Sequence, residues 1–276
     1  MASIPLAPTP AGACDCHMHI YDDAYPLAPT STFKPPHAPL SAYREVQRSL
    51  GLERVVLVQA SGYGFDNRCL LAALAQLGSG VARGVVIVPP DVSDDELQRL
   101  HDAGVRGVRY FMLNPSGLLG WDTLEAMAAR IAPLGWNINL QLDGRELPQR
   151  KALIDRLPGK LVIDHTGKFL EPVPPDHAAF KALLAVLDRG ERWVKLSAPY
   201  ETSKLGPPHY GDVAVLAKAL AKTHPDKCLW ASNWPHPNQV SPPSNEAMLN
   251  LLADWAGDAA TREQILVHNP AALYGF

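Results

Sequence analysis

Cysteine is scarce in this chain: four residues in 276, Cys14, Cys16, Cys69 and Cys228, each in or beside an apolar segment. So few cysteines in a chain of this length do not build a disulfide framework. Charge is sparse too. Asp, Glu, Lys and Arg make up 19% of the residues, and the formal net charge is −3. That balance offers no general attraction to nucleic acid or to an anionic membrane, so neither is expected as a partner. Any anion recognition must come from a few placed Arg or Lys side chains. Long apolar runs are missing as well, and no stretch approaches the roughly 18 residues of a membrane span. The opening MASIPLAPTPAGA has neither a positive start nor a continuous apolar run, so it does not read as a secretory signal. Cytoplasm is the expected compartment. The sequence carries no sign of the oligomeric state.

Proline, by contrast, is plentiful, with 26 residues against an average usage of about 5%. The prolines cluster at 5–10, 26–39, 172–175, 207–208 and 235–243, always between apolar runs, which predicts rigid surface loops. Hydrophobic residues reach 47%, enough for a sizeable core. Eight short apolar runs read as strands: Ala13–His19, Arg54–Gln59, Gly84–Val88, Arg106–Tyr110, Trp136–Leu142, Leu161–His165, Trp193–Ser197 and Lys227–Ser232. Several are nearly continuous in Val, Ile and Leu, as parallel strands covered on both faces should be. Helical patterns alternate with them, over Ser41–Leu50, Asp66–Leu77, Leu97–Ala103, Asp122–Pro133, Leu147–Leu157, Asp176–Arg189, Asp212–Thr223 and Asn245–Trp255, with a short one at Thr261–His268. Ser93-Asp94-Asp95-Glu96 forms a capping box before the third.

Eight alternations predict one (β/α)₈ barrel of the TIM type over residues 13–276, preceded by an extended segment at 1–12. An open doubly wound sheet is the alternative. It usually carries a Gly-rich turn after its first strand, whereas Ile20-Tyr21-Asp22-Asp23 follows here.

Chemistry-bearing residues gather where strands end. Cys14-Asp15-Cys16-His17-Met18-His19 puts Asp15, His17 and His19 on one face if the strand alternates strictly, and Cys14, Cys16 and Met18 on the other. Two imidazoles at the end of a first strand suit a barrel mouth. Hydrogen-bonded core histidines would be the structural reading, and the cysteines would face the wrong way to act as nucleophiles. Ile163-Asp164-His165-Thr166-Gly167-Lys168 ends a second strand in Asp-His and a glycine break, placing His165 at the mouth with the Lys168 charge close behind. The last strand runs through Ser232 into Asn233-Trp234-Pro235-His236. Asn233 is either a turn former or an amide that a substrate satisfies. Arg109, near the end of the fourth strand, could grip a carboxylate in bidentate fashion. Gln141 could donate to a substrate oxygen, and Tyr200 could line the pocket. Lys195 lies within the seventh strand with no direction assigned.

Together these residues resemble the amidohydrolase superfamily, in the branch typified by D-galactarolactone isomerase and 2-pyrone-4,6-dicarboxylate lactonase. The resemblance runs through Asp15-x-His17-x-His19, Gly107-Val108-Arg109, Asp164-His165-x-Gly167-Lys168, Asn233-Trp234-Pro235-His236 and Asn269-Pro270-x-x-Leu273-Tyr274. It implies catalysis by His17, His19, His165 and Asn233, with Arg109, Lys168, Gln141, Tyr200 and His236 around a small carboxylated lactone. Metal-dependent members of the superfamily hold divalent ions on such histidines and on an Asp after the last strand. This branch works without metal, and here that Asp is Asn233, a poor ligand that cannot act as a base. No cofactor is therefore expected. Zinc on His17, His19 and His165 is the alternative, since a three-histidine site is chemically sound. With water activation weakened, the resemblance implies isomerisation, in which a substrate hydroxyl attacks its own lactone carbonyl. Hydrolysis of a carboxylated lactone, or a metal-dependent amidohydrolase reaction, is the alternative.

Overall fold

The computed structural model describes residues 8–113 and 117–276, so residues 1–7 of the expected N-terminal segment lie outside it. Eight parallel strands follow one another in sheet order: β1 (Cys14–Met18), β2 (Arg54–Val58), β3 (Ala82–Val86), β4 (Val105–Phe111), β5 (Asn137–Gln141), β6 (Lys160–Ile163), β7 (Arg192–Leu196) and β8 (Cys228–Trp230). Backbone bonds from His19 N–H to Trp234 O (2.8 Å) and from Asn233 N–H to His17 O (2.9 Å) join the last strand end to the first. Asp15 reinforces this seam, accepting from the Ser232 backbone at 2.9 Å and the Ser232 hydroxyl at 2.5 Å. The ring of strands is the expected (β/α)₈ barrel.

Eight helices cover the outside: α1 (Leu40–Ser49), α2 (Arg68–Leu77), α3 (Asp94–Asp102), α4 (Trp121–Ile131), α5 (Leu147–Arg156), α6 (Ala178–Leu187), α7 (Gly211–Thr223) and α8 (Asn245–Ala256). Outward side chains such as Val55, Leu57, Ile138, Leu140, Val194 and Leu196 pack beneath them in the main core. Each fully buried side chain of this kind stabilises by about 1.5–3 kcal/mol. Inward side chains, among them Val56, Val58, Val85, Val162 and Leu229, fill the barrel below the mouth.

Local chemistry moves several boundaries. α6 begins at Ala178, not Asp176, because His177 Nδ1 accepts from the Ala179 N–H (3.1 Å) and caps the helix. Ser93 caps α3 through the Glu96 N–H (3.1 Å), but the Glu96 carboxylate turns to Arg99 instead of closing the capping box. β3 starts two residues earlier than its apolar run, since Arg83 is buried on the Tyr274 and Gly275 carbonyls. The expected helix at Thr261–His268 is instead α9 (Ala259–Glu263), a π-helical turn (Gln264–His268) and α10 (Asn269–Tyr274). Its motif is structural. Asn269 Nδ2 donates to the Pro225 and Cys228 carbonyls (2.7 and 2.6 Å), while Leu273 and Tyr274 plug the barrel floor.

The largest correction concerns β1. Its register with β2 shifts between Asp15 and Met18, so strict alternation fails there. Cys14 and Cys16 point into the barrel with Val56 and Leu229, not outward. Asp15 turns to the helix side, where Tyr43 of α1 donates to it (3.0 Å). The bulge is what lets His17 and His19 face the mouth.

Candidate active site

The strand ends enclose a cavity of about 310 Å³, at the lower end of small-molecule sites. His19, Arg109, Gln141, His165, Lys168 and Asn233 line it. His17, Tyr200 and His236 do not reach the cavity wall; they stand behind it and hold the residues that do. Tyr21, Phe33, Phe111 and Glu201 complete the lining.

The backbone there is strained. His165, Thr166 and Lys168 have φ of 53°, 56° and 43°, a left-handed turn that non-glycine residues rarely adopt. Gly167 (φ 84°) sits within it, and a Cβ on Gly144 would overlap the Gly167 carbonyl. Glycine at both positions lets the loop after β5 close against the turn after β6. Asn233 (φ 57°) is also left-handed, a conformation asparagine tolerates. It forms the turn and also lines the cavity.

Hydrogen-bond geometry fixes the proton positions on the β1 histidines. His19 Nδ1 lies 2.8 Å from the Val58 carbonyl, so this nitrogen carries the proton and Nε2 carries the lone pair. His17 Nε2 lies 3.3 Å from that lone pair and donates to it. His17 Nδ1 is then an acceptor, and the Lys195 ammonium supplies its donor at 3.1 Å. Lys195 also meets Asp164 Oδ1 (3.1 Å) and Asn139 Oδ1, while Asn139 Nδ2 donates to Asp164 Oδ2 (2.6 Å). His165 bonds Ser197 Oγ through Nδ1 (2.8 Å), which leaves its Nε2 toward the cavity.

A second chain fixes Asn233. His236 Nε2 donates to Asn245 Oδ1 (3.0 Å), so His236 Nδ1 accepts from the Tyr200 hydroxyl (2.9 Å). Asn233 Nδ2 donates to the Tyr200 oxygen (2.9 Å) and to Glu201 Oε1 (3.0 Å). The other Glu201 oxygen pairs with Lys168. Both amide hydrogens of Asn233 are therefore engaged, and its Oδ1 is buried with no donor. A carboxylate at this position would face Glu201 at the same short distance and be repelled. Arg109 donates to the Gln59 carbonyl (2.7 Å) and to Gln141 Oε1 (3.0 Å), leaving its buried Nε unpartnered. The Gln141 amide N–H remains as the donor that the sequence suggested.

Sequence reasoning assigned no role to Lys195, Asp164, Asn139 or Glu201. Lys195 had a signal: apolar Val194 and Leu196 flank it, and if they face the helices it must face inward. Glu201 follows Tyr200 in the stretch after the seventh strand, but it acts from an irregular turn whose side-chain directions no periodicity gives.

Burial lowers the proton affinity of four histidines: His19 to about 3, His236 to about 4, and His17 and His165 well below the usual value. In the unfolded chain they would titrate near pH 6.5. Below that pH the unfolded state binds more protons, so folding stability falls with acidification. Each group contributes up to about 1.4 kcal/mol per pH unit. The urea midpoint should therefore drop between pH 6.5 and 5; an unchanged midpoint would contradict neutral burial of these rings.

Comparison with known proteins agrees with this architecture. The amidohydrolase family model matches residues 14–276. D-galactarolactone isomerase of Agrobacterium fabrum is 34% identical over 277 residues, covering 97% of this chain and 94% of that protein. A 2-pyrone-4,6-dicarboxylate hydrolase of Comamonas testosteroni is 34% identical over 284 residues, covering 99% and 93%. The apo crystal structure of an Agrobacterium tumefaciens protein superposes with a TM-score of 0.91 at 32% identity, covering 97% of each chain. This chain belongs to the amidohydrolase family of enzymes.

Proposed function

We propose that this enzyme isomerises a sugar-acid lactone by ring exchange: a hydroxyl of the substrate attacks its own ester carbonyl, and one lactone ring replaces another. The observation that carries this reading is the unpartnered Oδ1 of Asn233. With both amide hydrogens held by Tyr200 and Glu201, the unpaired atom is an acceptor, suited to a substrate hydroxyl and not to a carbonyl. A hydroxyl so held is a nucleophile already beside its target, an arrangement worth roughly 7–11 kcal/mol in favourable cases. The names of two relatives, a galactarolactone isomerase and a pyrone-dicarboxylate hydrolase, support a lactone as the substrate class.

His165 takes the hydroxyl proton through its cavity-facing nitrogen and returns it to the departing ring oxygen. One C–O bond forms, one breaks, and no water is consumed. The imidazolium formed at His165 stabilises charge on the carbonyl oxygen. Arg109 holds the substrate carboxylate, its Nε supplying a free donor. Lys168 borders the cavity, with its charge engaged by Glu201. Carboxylated lactones of two ring sizes, followed by NMR, should interconvert in both directions. An open-chain acid as the first product would make the reaction hydrolysis, and inertness toward every lactone tested would refute the reading.

A further inference from the structure

A metal ion on the β1 histidines is the alternative that the fold raises, and the distances alone would admit one. His17 Nε2 and His19 Nε2 are 3.3 Å apart. Two nitrogens on a tetrahedral zinc, each about 2.0–2.1 Å from the ion, stand roughly 3.3–3.4 Å apart. His17, Asp164 and His165 also bring donor atoms within 4.8 Å of one another. The proton positions do not fit. A ligating nitrogen must present a lone pair, and His17 Nε2 carries a hydrogen that it donates to His19.

We infer that Lys195 keeps this site free of metal by fixing the tautomer of His17. Lys195 is fully buried; its ammonium donates to His17 Nδ1 and Asn139 Oδ1 and stands in an ion pair 3.1 Å from Asp164 Oδ1. An ammonium has no lone pair, so its contact with His17 can run in one direction only. His17 Nδ1 accepts, and the ring's hydrogen is forced onto Nε2. Asp164 Oδ1 lies 3.4 Å from the same Nδ1. Without Lys195, that carboxylate would take the Nδ1 hydrogen, as carboxylates do behind zinc-bound histidines. His17 Nε2 would then be bare beside the His19 lone pair. The ammonium also supplies the positive charge that Asp164 would otherwise draw from an ion. Lys195 is thus a positioning residue that acts through His17. The inference holds whether the substrate is isomerised or hydrolysed, so it can fail separately from the proposed reaction.

The test uses the full chain, zinc alone as the probe, and Lys195→Met, which keeps the length of the side chain without its donors. After dialysis against zinc and then metal-free buffer, elemental analysis should find well under one equivalent in the wild type. Lys195→Met should retain close to one equivalent. Lys195→Met leaves the Asp164 carboxylate facing His17 Nδ1, as the inference requires, and should that variant not fold the wild-type measurements still decide. Histidine ¹⁵N NMR on the wild type needs no variant. It should place the His17 hydrogen on Nε2 and the His19 hydrogen on Nδ1. Stoichiometric zinc in the wild type, a His17 hydrogen on Nδ1, or a folded Lys195→Met that still excludes zinc would each overturn the inference.

Discussion

His165→Asn should lower kcat by about 10²–10⁴-fold while changing KM little. That is the range by which a positioned proton carrier accelerates a reaction, and a group acting only in the transition state affects kcat rather than binding. The geometry singles out His165 among the three histidines. His17 is fully buried behind the wall, with its two nitrogens on Lys195 and His19. His19 has one nitrogen on the Val58 carbonyl and the other filled by the His17 hydrogen. Only His165 has its second nitrogen open to the cavity, and the Ser197 contact and the left-handed turn hold the ring in place. In ring exchange the same nitrogen serves twice, taking a proton and then returning it, so its loss stalls both halves of the reaction. Steady-state kinetics on the best lactone would measure this. A kcat within a few-fold of wild type would move the proton transfer to another group.

Arg109→Met should have the second largest effect, and of the opposite kind. A clamp on a carboxylate remote from the reacting atoms holds ground and transition states alike, so KM rises and kcat stays near its wild-type value. Losing a charge-assisted contact costs on the order of 1.5–3 kcal/mol, or about tenfold to 150-fold in KM. The change should not unfold the barrel. Arg109 is a buried cation, and the desolvation cost that an apolar side chain of similar length removes offsets the donors lost to the Gln59 carbonyl and Gln141 Oε1. An unchanged KM on a carboxylated lactone would show that the anion is held elsewhere.

Much of this molecule was legible from pattern alone. Val55-Val56-Leu57-Val58 reads as a strand covered on both faces, and a run of such strands separated by amphipathic helices leaves few architectures. The residues at strand ends followed from the same logic, because the C-terminal ends of barrel strands form the mouth. The failures share one physical cause: side-chain direction depends on local backbone irregularity that composition does not encode. The bulge in β1 reversed the expected facing of Asp15, Cys14 and Cys16 while leaving His17 and His19 where they were wanted. The left-handed turns at His165 and Asn233 are invisible to periodicity. Glu201 is the clearest case. Its carboxylate orients the amide on which the proposed function turns, yet it reaches Asn233 from another loop, 32 residues away in sequence.

That amide also decides which experiment is most direct. If the Asn233 oxygen holds a substrate hydroxyl as nucleophile, solvent water never enters the product. The reaction should therefore be run in ¹⁸O-water, with the product weighed by mass spectrometry and its ring identified by NMR. The account predicts a rearranged lactone of unchanged mass that carries no label. An open-chain acid bearing ¹⁸O in its new carboxyl group would contradict it, because water would then be the nucleophile and the enzyme a hydrolase.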